Sequence, residues 1–88
     1  MSVVVKKFGA KWCGPCRALA PVMTEIKGQF NNVKFTDYDV DVAYEAAEEY
    51  GIRSVPTVVI VKDGVEINRF TGMSSKLAYV NAINEGLK

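Results

Sequence analysis

The chain has no histidine and only two cysteines, Cys13 and Cys16, among its 88 residues. The lack of histidine removes the commonest proton shuttle and the commonest metal ligand. A structural zinc ion takes about four ligands, so two sulfurs without an imidazole would need a second chain or several carboxylates to complete the site. We therefore expect no bound metal.

The sequence also has little excess charge, because 11 basic and 10 acidic residues leave a formal net charge of +1. The basic residues are scattered, which predicts no binding site for nucleic acid or for an anionic membrane. No hydrophobic run reaches the length of a membrane span. Lys6 and Lys7 follow the first apolar run, whereas a secretion signal carries its charges before that run. We therefore expect a cytoplasmic location, where a lone pair of neighbouring cysteines is more often catalytic than structural.

Hydrophobic periodicity and turn residues predict seven elements in the order β-α-β-α-β-β-α. A helical crossover between the first two strands predicts a parallel pair, and the turn signal Asp63-Gly64 predicts an antiparallel hairpin. The predicted fold class is therefore α/β, with a four-stranded mixed sheet flanked by three helices that cover both of its faces. The size of the chain and the absence of linkers or repeats predict one domain over residues 1–88.

Local signals give the bounds of these elements. Pro15 suits the first turn of a helix, and Ser74 or Ser75 can cap the last helix. The strands are predicted at residues 3–8, 33–40, 57–61 and 65–70, and the second helix at residues 43–50. The buried face of the last helix is predicted to consist of Leu77, Val80, Ile83 and Leu87.

Four separated features of this sequence resemble the thioredoxin family. They are Ala-Lys-Trp-Cys-Gly-Pro-Cys-Arg at residues 10–17, Pro21 within the following helix, Tyr-Gly-Ile-Arg-Ser-Val-Pro-Thr at residues 50–57, and Gly72. The resemblance covers nearly the whole chain, and it implies a minimal thioredoxin fold without the amino-terminal strand and helix of full-length thioredoxins. Glutaredoxins and short viral or archaeal redoxins share that minimal version.

The resemblance implies that the two cysteines form a redox-active couple. Cys13, at the amino end of a helix where negative charge is favoured, is expected to attack target disulfides as a thiolate, and Cys16 is expected to resolve the mixed disulfide. Gly14 and Pro15 are expected to tune the couple toward the thioredoxin potential of about −270 mV rather than toward strongly oxidising values near about −120 mV. Two buried and inert cysteines are the alternative.

The same resemblance implies a substrate groove beside the couple. Pro56 is expected to follow a cis peptide bond that presents the backbone of Val55 to an extended substrate, and Trp12 is expected to be an exposed lid. Thr71 and Gly72 would complete the groove. The alternatives are an ordinary turn proline, an aromatic residue of the core, and a glycine that only breaks the chain before the last helix.

Lys7 and Asp37 depart from the family pattern. The family usually has a buried Asp six residues before the first cysteine, where this chain has Lys7, and the Lys that partners it aligns with Asp37. Alternation along the first strand places Lys7 on the same face as Val3 and Val5, so a partly buried Lys7 would need a carboxylate. We hypothesise that the pair lowers the pKa of Cys16 and relays its proton. Two solvated surface charges are the alternative.

The resemblance implies a monomeric protein-disulfide reductase that carries electrons on its own disulfide and needs no bound cofactor. Its electrons would come from a flavin-dependent, thioredoxin reductase-like donor, and its targets would be disulfide-containing proteins such as ribonucleotide reductase. A glutaredoxin-like reductase that uses glutathione is one alternative, although Trp12 and the Gly14-Pro15 pair do not fit it. A non-catalytic thioredoxin-like binding subunit is the other.

Overall fold

A computed structural model describes residues 2–88. Within these residues the order β-α-β-α-β-β-α is confirmed, and each strand end lies within one residue of its predicted position. The elements are β1 Val3–Gly9, α1 Gly14–Lys27, β2 Lys34–Asp39, α2 Tyr44–Glu49, β3 Thr57–Lys62, β4 Val65–Thr71 and α3 Lys76–Gly86.

The sheet has the strand order β2-β1-β3-β4. Strand β1 pairs parallel with β2 and antiparallel with β3, and β3 pairs antiparallel with β4. The predicted mixed sheet is therefore confirmed, with β1 and β3 at its centre. Asp63 and Gly64 both have positive φ, 50° and 84°, which is the backbone conformation of a tight hairpin turn between β3 and β4.

The two faces of the sheet carry separate apolar clusters because side chains alternate along each central strand. One cluster lies beneath α1 and α3 and contains Val5, Ile60 and Ile83. The other contains Phe8 and the alternate β3 residues, and it packs against the α2 side. Helices therefore cover both faces, as predicted.

The predicted buried face of α3 is wrong at Leu77, whose exposed fraction is 67%. Ser75 begins the helix, since its side chain accepts the N–H of Ala78 at 3.1 Å. Leu77 then precedes Tyr79 by two positions, which is about 200° around an α-helix. The face toward the sheet is set by the fully buried Tyr79, and the buried residues of the helix are Tyr79, Ala82, Ile83 and Gly86.

Arg69 connects β4 to the end of α2. Its guanidinium donates to the Glu66 carboxylate at 2.8 and 2.9 Å and to the carbonyl of Tyr50 at 2.7 Å. The hydrogen bonds from Arg69 hold the pKa of Glu66 below its ordinary value, and burial opposes them only in part. The segment between α2 and β3 is thereby tied to the edge strand.

Strand register brings the ends of several elements together at one edge of the sheet. Phe8 pairs with Thr57, so the chain entering β3 passes beside the chain leaving β1. The N–H of Gly72 donates to the carbonyl of Pro56 at 2.8 Å, and the N–H of Val40 donates to the carbonyl of Gly9 at 2.9 Å. The loops after β1, β2 and β4 and the loop before β3 therefore meet around the amino end of α1.

Candidate redox site

Cys13 and Cys16 form a disulfide at the start of α1. Their Cα atoms are 5.3 Å apart, within the range that a disulfide requires. Cys13 is the N-cap residue with an extended backbone, and Pro15 lies in the first turn, where the missing N–H of proline costs no helical hydrogen bond. The local sequence thus begins the helix at the position that brings the two sulfurs together.

The amino end of α1 is electrostatically suited to a negative sulfur. The N–H of Cys16 donates to Cys13 Sγ at 3.1 Å, and the first turn contains no acidic residue. Helix dipoles and unpaired N–H groups at this end favour anions. The exposed fractions of Cys13 and Cys16 are 4% and 9%, so burial alone does not assign the attacking sulfur. That assignment remains a prediction.

The residues predicted to bind substrate lie together, and Pro56 among them lines a cavity with Cys16. The Val55–Pro56 peptide bond is cis, Pro56 is fully buried, and Val55 is half-buried. The Gly72–Pro56 hydrogen bond holds the Thr71–Gly72 segment against this loop. Gly72 has φ +83°, a left-handed conformation in which glycine is favoured. The structure therefore places all four residues at one edge, whereas their contact with substrate remains a prediction.

Trp12 is 67% exposed, which excludes the alternative of a core aromatic. Its indole Nε1 donates to Asp41 Oδ2 at 2.8 Å. Trp12 and Val55 line a small cavity of about 130 Å³. Sequence reasoning did not identify Asp41 as the partner of Trp12. The available signal was its place just beyond the end of β2, at the edge where the redox loop lies.

Lys7 and Asp37 are register partners on β1 and β2, and Lys7 Nζ lies 3.3 Å from Asp37 Oδ1. The side chain of Lys7 is 18% exposed, whereas that of Asp37 is 79% exposed. The predicted pairing is therefore present, but only its lysine is largely buried. Both residues line a cavity of about 220 Å³ that Cys16 also lines.

Gly9 is a second residue that sequence reasoning did not connect with the site. A Cβ atom at Gly9 would lie 3.3 Å from Cys16 Sγ, closer than side chains ordinarily approach. The missing side chain therefore leaves the sulfur of Cys16 open to the same cavity. The motif pattern gave no signal for this, because the contact depends on how β1 packs against α1.

Two other kinds of feature are absent from the described part of the chain. Among residues 2–88, no group of three or more His, Cys, Asp or Glu residues is arranged to hold a metal ion. Over the same range, no helix is long and apolar enough to span a bilayer.

Comparisons with known proteins agree with this geometry. The Thioredoxin family model matches residues 1–85. Thioredoxin from Chlamydia caviae is 35% identical over 83 residues, which cover 94% of this chain and 81% of that protein. Thioredoxin 1 from Synechococcus elongatus is 40% identical over 85 residues, which cover 96% of this chain and 79% of that protein. The X-ray structure of Fasciola hepatica thioredoxin matches with a TM-score of 0.89 at 36% identity, and the match covers 97% of this chain and 81% of that chain.

The fold, the Cys13–Cys16 disulfide and these relatives define a thiol-disulfide oxidoreductase. The chain belongs to the thioredoxin family and is a protein-disulfide reductase. Thioredoxins carry electrons on their own disulfide, are reduced by thioredoxin reductase and act on disulfide substrates.

Proposed function

We propose that Cys13 is the attacking cysteine and Cys16 the resolving cysteine of this reductase. The observation that carries the proposal is the 3.1 Å hydrogen bond from the Cys16 N–H to Cys13 Sγ at the amino end of α1. A donor at this position stabilises a thiolate on Cys13, and the thiolate is the form that attacks disulfides.

The exchange then proceeds in two balanced steps. The Cys13 thiolate attacks one target sulfur, which forms a mixed disulfide and releases the other target sulfur as a thiolate. Deprotonated Cys16 attacks Cys13 Sγ, which closes the Cys13–Cys16 disulfide and releases the second target thiolate. The target gains two electrons and the reductase loses two.

We assign substrate binding to Trp12, Val55, Pro56, Thr71 and Gly72. Their common position at the sheet edge supports this assignment, since an extended target segment can contact backbone from two loops there. Trp12 and Val55 line the small cavity, so an apolar side chain of the target would lie against them.

Lys7 and Asp37 are proposed to tune the release step together with Gly14 and Pro15. An ammonium group near Cys16 favours its thiolate, and Lys7 and Asp37 share a cavity with that cysteine. Lys7→Met should therefore raise the pKa of Cys16, measured by the pH dependence of its alkylation. An unchanged pKa in Lys7→Met would remove this role.

The physiological setting is proposed from the family. Residues 1–88 act as one monomeric domain in the cytoplasm, at a potential near the thioredoxin value of about −270 mV. A flavin-dependent, thioredoxin reductase-like enzyme supplies electrons, and proteins such as ribonucleotide reductase receive them. This would make the chain a carrier in electron transport.

Trapping of target mixed disulfides tests the assignment of the cysteines. Cys16→Ser should accumulate a mixed disulfide between Cys13 and a protein target, whereas Cys13→Ser should accumulate much less. The reverse result would exchange the two roles. Insulin reduction driven by NADPH and thioredoxin reductase, compared with glutathione and its reductase, separates the proposed donor from the glutaredoxin-like alternative. A Cys13→Ser, Cys16→Ser double variant that kept full cellular activity would instead indicate a binding subunit.

A further inference from the structure

Met73 lies at the same edge of the sheet as the redox site, and its exposed fraction is 48%. Hydrogen bonds fix the backbone on both sides of it. The N–H of Gly72, the residue before it, donates to the carbonyl of Pro56 at 2.8 Å. The N–H of Ser74, the residue after it, donates to the hydroxyl of Tyr79 at 2.8 Å. The thioether of Met73 is therefore held open to solvent directly beyond the proposed substrate groove.

The other sulfur atoms of residues 2–88 are closed to solvent when the protein is oxidised. Cys13 and Cys16 are joined in the disulfide, so neither is a free thiol, and their exposed fractions are only 4% and 9%. Met23 is 7% exposed and belongs to the core cluster beneath α1. Oxidation of sulfur in proteins follows exposure and thiolate character. An oxidant that meets the oxidised protein therefore reaches the thioether of Met73 before these other sulfurs.

We propose that Met73 is an oxidative modification site, at which a peroxide forms the methionine sulfoxide and thereby weakens the binding of protein targets. The inference rests on the proposed function, because it takes the segment of Thr71 and Gly72 as part of the surface that binds targets. The flexible, apolar thioether of Met73 extends that surface, and thioethers suit surfaces that accept varied partners. The sulfoxide makes the same position polar and chiral, which disrupts apolar contacts.

The oxidation needs no reactant besides the peroxide. The sulfur of Met73 takes one oxygen atom from hydrogen peroxide, so an S–O bond forms, the O–O bond breaks and water leaves. The methionine loses two electrons and the peroxide gains two. In the reduced protein the couple reacts first, because the thiolate of Cys13 takes the oxygen as a sulfenic acid and Cys16 then closes the disulfide and releases water. Met73 is therefore modified after the couple has been oxidised.

Peptide mapping tests where the oxygen is added. The oxidised protein is treated with hydrogen peroxide, digested with trypsin and analysed by mass spectrometry. We expect one added oxygen on the peptide of residues 70–76, which contains Met73, before any on the peptide of residues 18–27, which contains Met23. Reduced protein given an equimolar amount of peroxide should instead form the disulfide and keep Met73 unmodified. Faster oxidation of Met23, or oxidation of Met73 ahead of the couple, would overturn the proposal.

Rate constants with two kinds of disulfide test the effect on target binding. After peroxide treatment the couple is reduced with dithiothreitol, which leaves the sulfoxide in place, and the excess reagent is removed. The second-order rate constant for a peptide whose disulfide is flanked by leucines should fall by about threefold or more, because an apolar contact is lost. The rate constant for bis(2-hydroxyethyl) disulfide, which is too small to extend along the groove, should not change. An unchanged rate with the peptide, or an equal fall with both disulfides, would overturn the proposal.

Two methionine variants assign the effect to one sulfur. Met73→Leu has an apolar side chain that takes up no oxygen, so its rate constant with the peptide should be the same before and after peroxide. Met23→Leu is the matched control, because it makes the same change at the buried methionine and should lose rate on peroxide treatment as the wild type does. A loss in Met73→Leu as large as that of the wild type would place the effect on another residue and would contradict the proposal.

This proposal and the proposed function fail separately. Trapping of a protein target on Cys13 in Cys16→Ser tests the roles of the cysteines without any peroxide. If that trapping succeeds while the sulfoxide leaves the rate with the peptide unchanged, only the modification site is wrong. If the trapping fails, the assignment of the cysteines is wrong, and the mapping and rate measurements still decide the proposal for Met73.

Discussion

Removing the carboxylate of Asp41 should weaken target binding by releasing Trp12. The indole Nε1 of Trp12 donates to Asp41 Oδ2 at 2.8 Å, the short distance of a charge-assisted hydrogen bond. Trp12 is otherwise largely exposed, at 67%, so few other contacts hold its ring in place. Asp41→Ala therefore leaves the indole to sample other rotamers.

The size of the effect follows from the exposure of the bond. A hydrogen bond to a charged group contributes roughly 1.5–3 kcal/mol when it is protected. At an exposed site water readily replaces Asp41 as the partner of the indole, so we take the contribution of this hydrogen bond as about 1 kcal/mol. Since about 1.4 kcal/mol corresponds to a tenfold change in an equilibrium constant, the ratio of positioned to displaced indole falls by roughly fivefold.

Two measurements check this expectation. Trp12 is the only tryptophan of the chain, so its fluorescence anisotropy reports the indole directly and should fall in Asp41→Ala. The second-order rate constant for reduction of an oxidised peptide should fall by at most roughly fivefold, because it follows the population of the positioned indole. Glu45→Gln removes an exposed negative charge four residues further along the chain and should leave both values unchanged. Wild-type anisotropy together with a wild-type rate in Asp41→Ala would refute the positioning role of Asp41.

Three further predictions concern stability and are measured by urea unfolding. The hydrogen bonds from Arg69 lower the pKa of Glu66. The Glu66 carboxylate therefore stabilises the fold fully above its ordinary pKa of 4.5, and this contribution is lost as the pH falls through the lowered value. Glu66→Gln should lose less unfolding free energy than wild type between neutral and acidic pH, and an equal loss would contradict this. Tyr79→Phe removes the hydroxyl that accepts the Ser74 N–H at 2.8 Å and should lower the free energy of unfolding by about 0.5–1.5 kcal/mol. No loss would mean that the Ser74 N–H finds another acceptor. Ile83→Ala should lower the free energy of unfolding by about 2–5 kcal/mol because Ile83 is fully buried. Leu77→Ala should change it by less than about 0.5 kcal/mol. Similar losses in both variants would mean that Leu77 is buried, as the sequence predicted.

The sequence was sufficient to predict the sheet and the helix order because hydrophobic periodicity indicates each element and a clear turn signal separates the last two strands. Asp63 and Gly64 determine the last hairpin, and the apolar run of β3 indicates a strand buried on both faces. The error at Leu77 has a specific cause. Leu77 and Ile83 were assigned to one face from their spacing, but the fully buried Tyr79 determines the orientation of the helix, and tyrosine carries little weight in a count of aliphatic residues.

The site was predictable where a short motif determines local structure. The start of α1 at Cys13 and Pro15 follows from neighbouring residues alone. The partners Asp41 and Gly9 were not predictable in this way, because each reaches the site through strand packing. Their contacts depend on where β1 and β2 end relative to α1, and a single sequence does not contain that distance.

The position of β1 explains why the cores and the redox site depend on each other. Val5 and Lys7 face the α1 side of the sheet and Phe8 faces the other, where it is fully buried. A slip of β1 by one residue against β3 would exchange these faces, which would move Phe8 out of its cluster with Val59 and Val61 and turn Lys7 away from the α1 side. It would also move Gly9 away from Cys16. The apolar residues that stabilise β1 therefore also determine which side chains surround the resolving sulfur, so core substitutions in β1 should change the redox chemistry even where they contact neither cysteine.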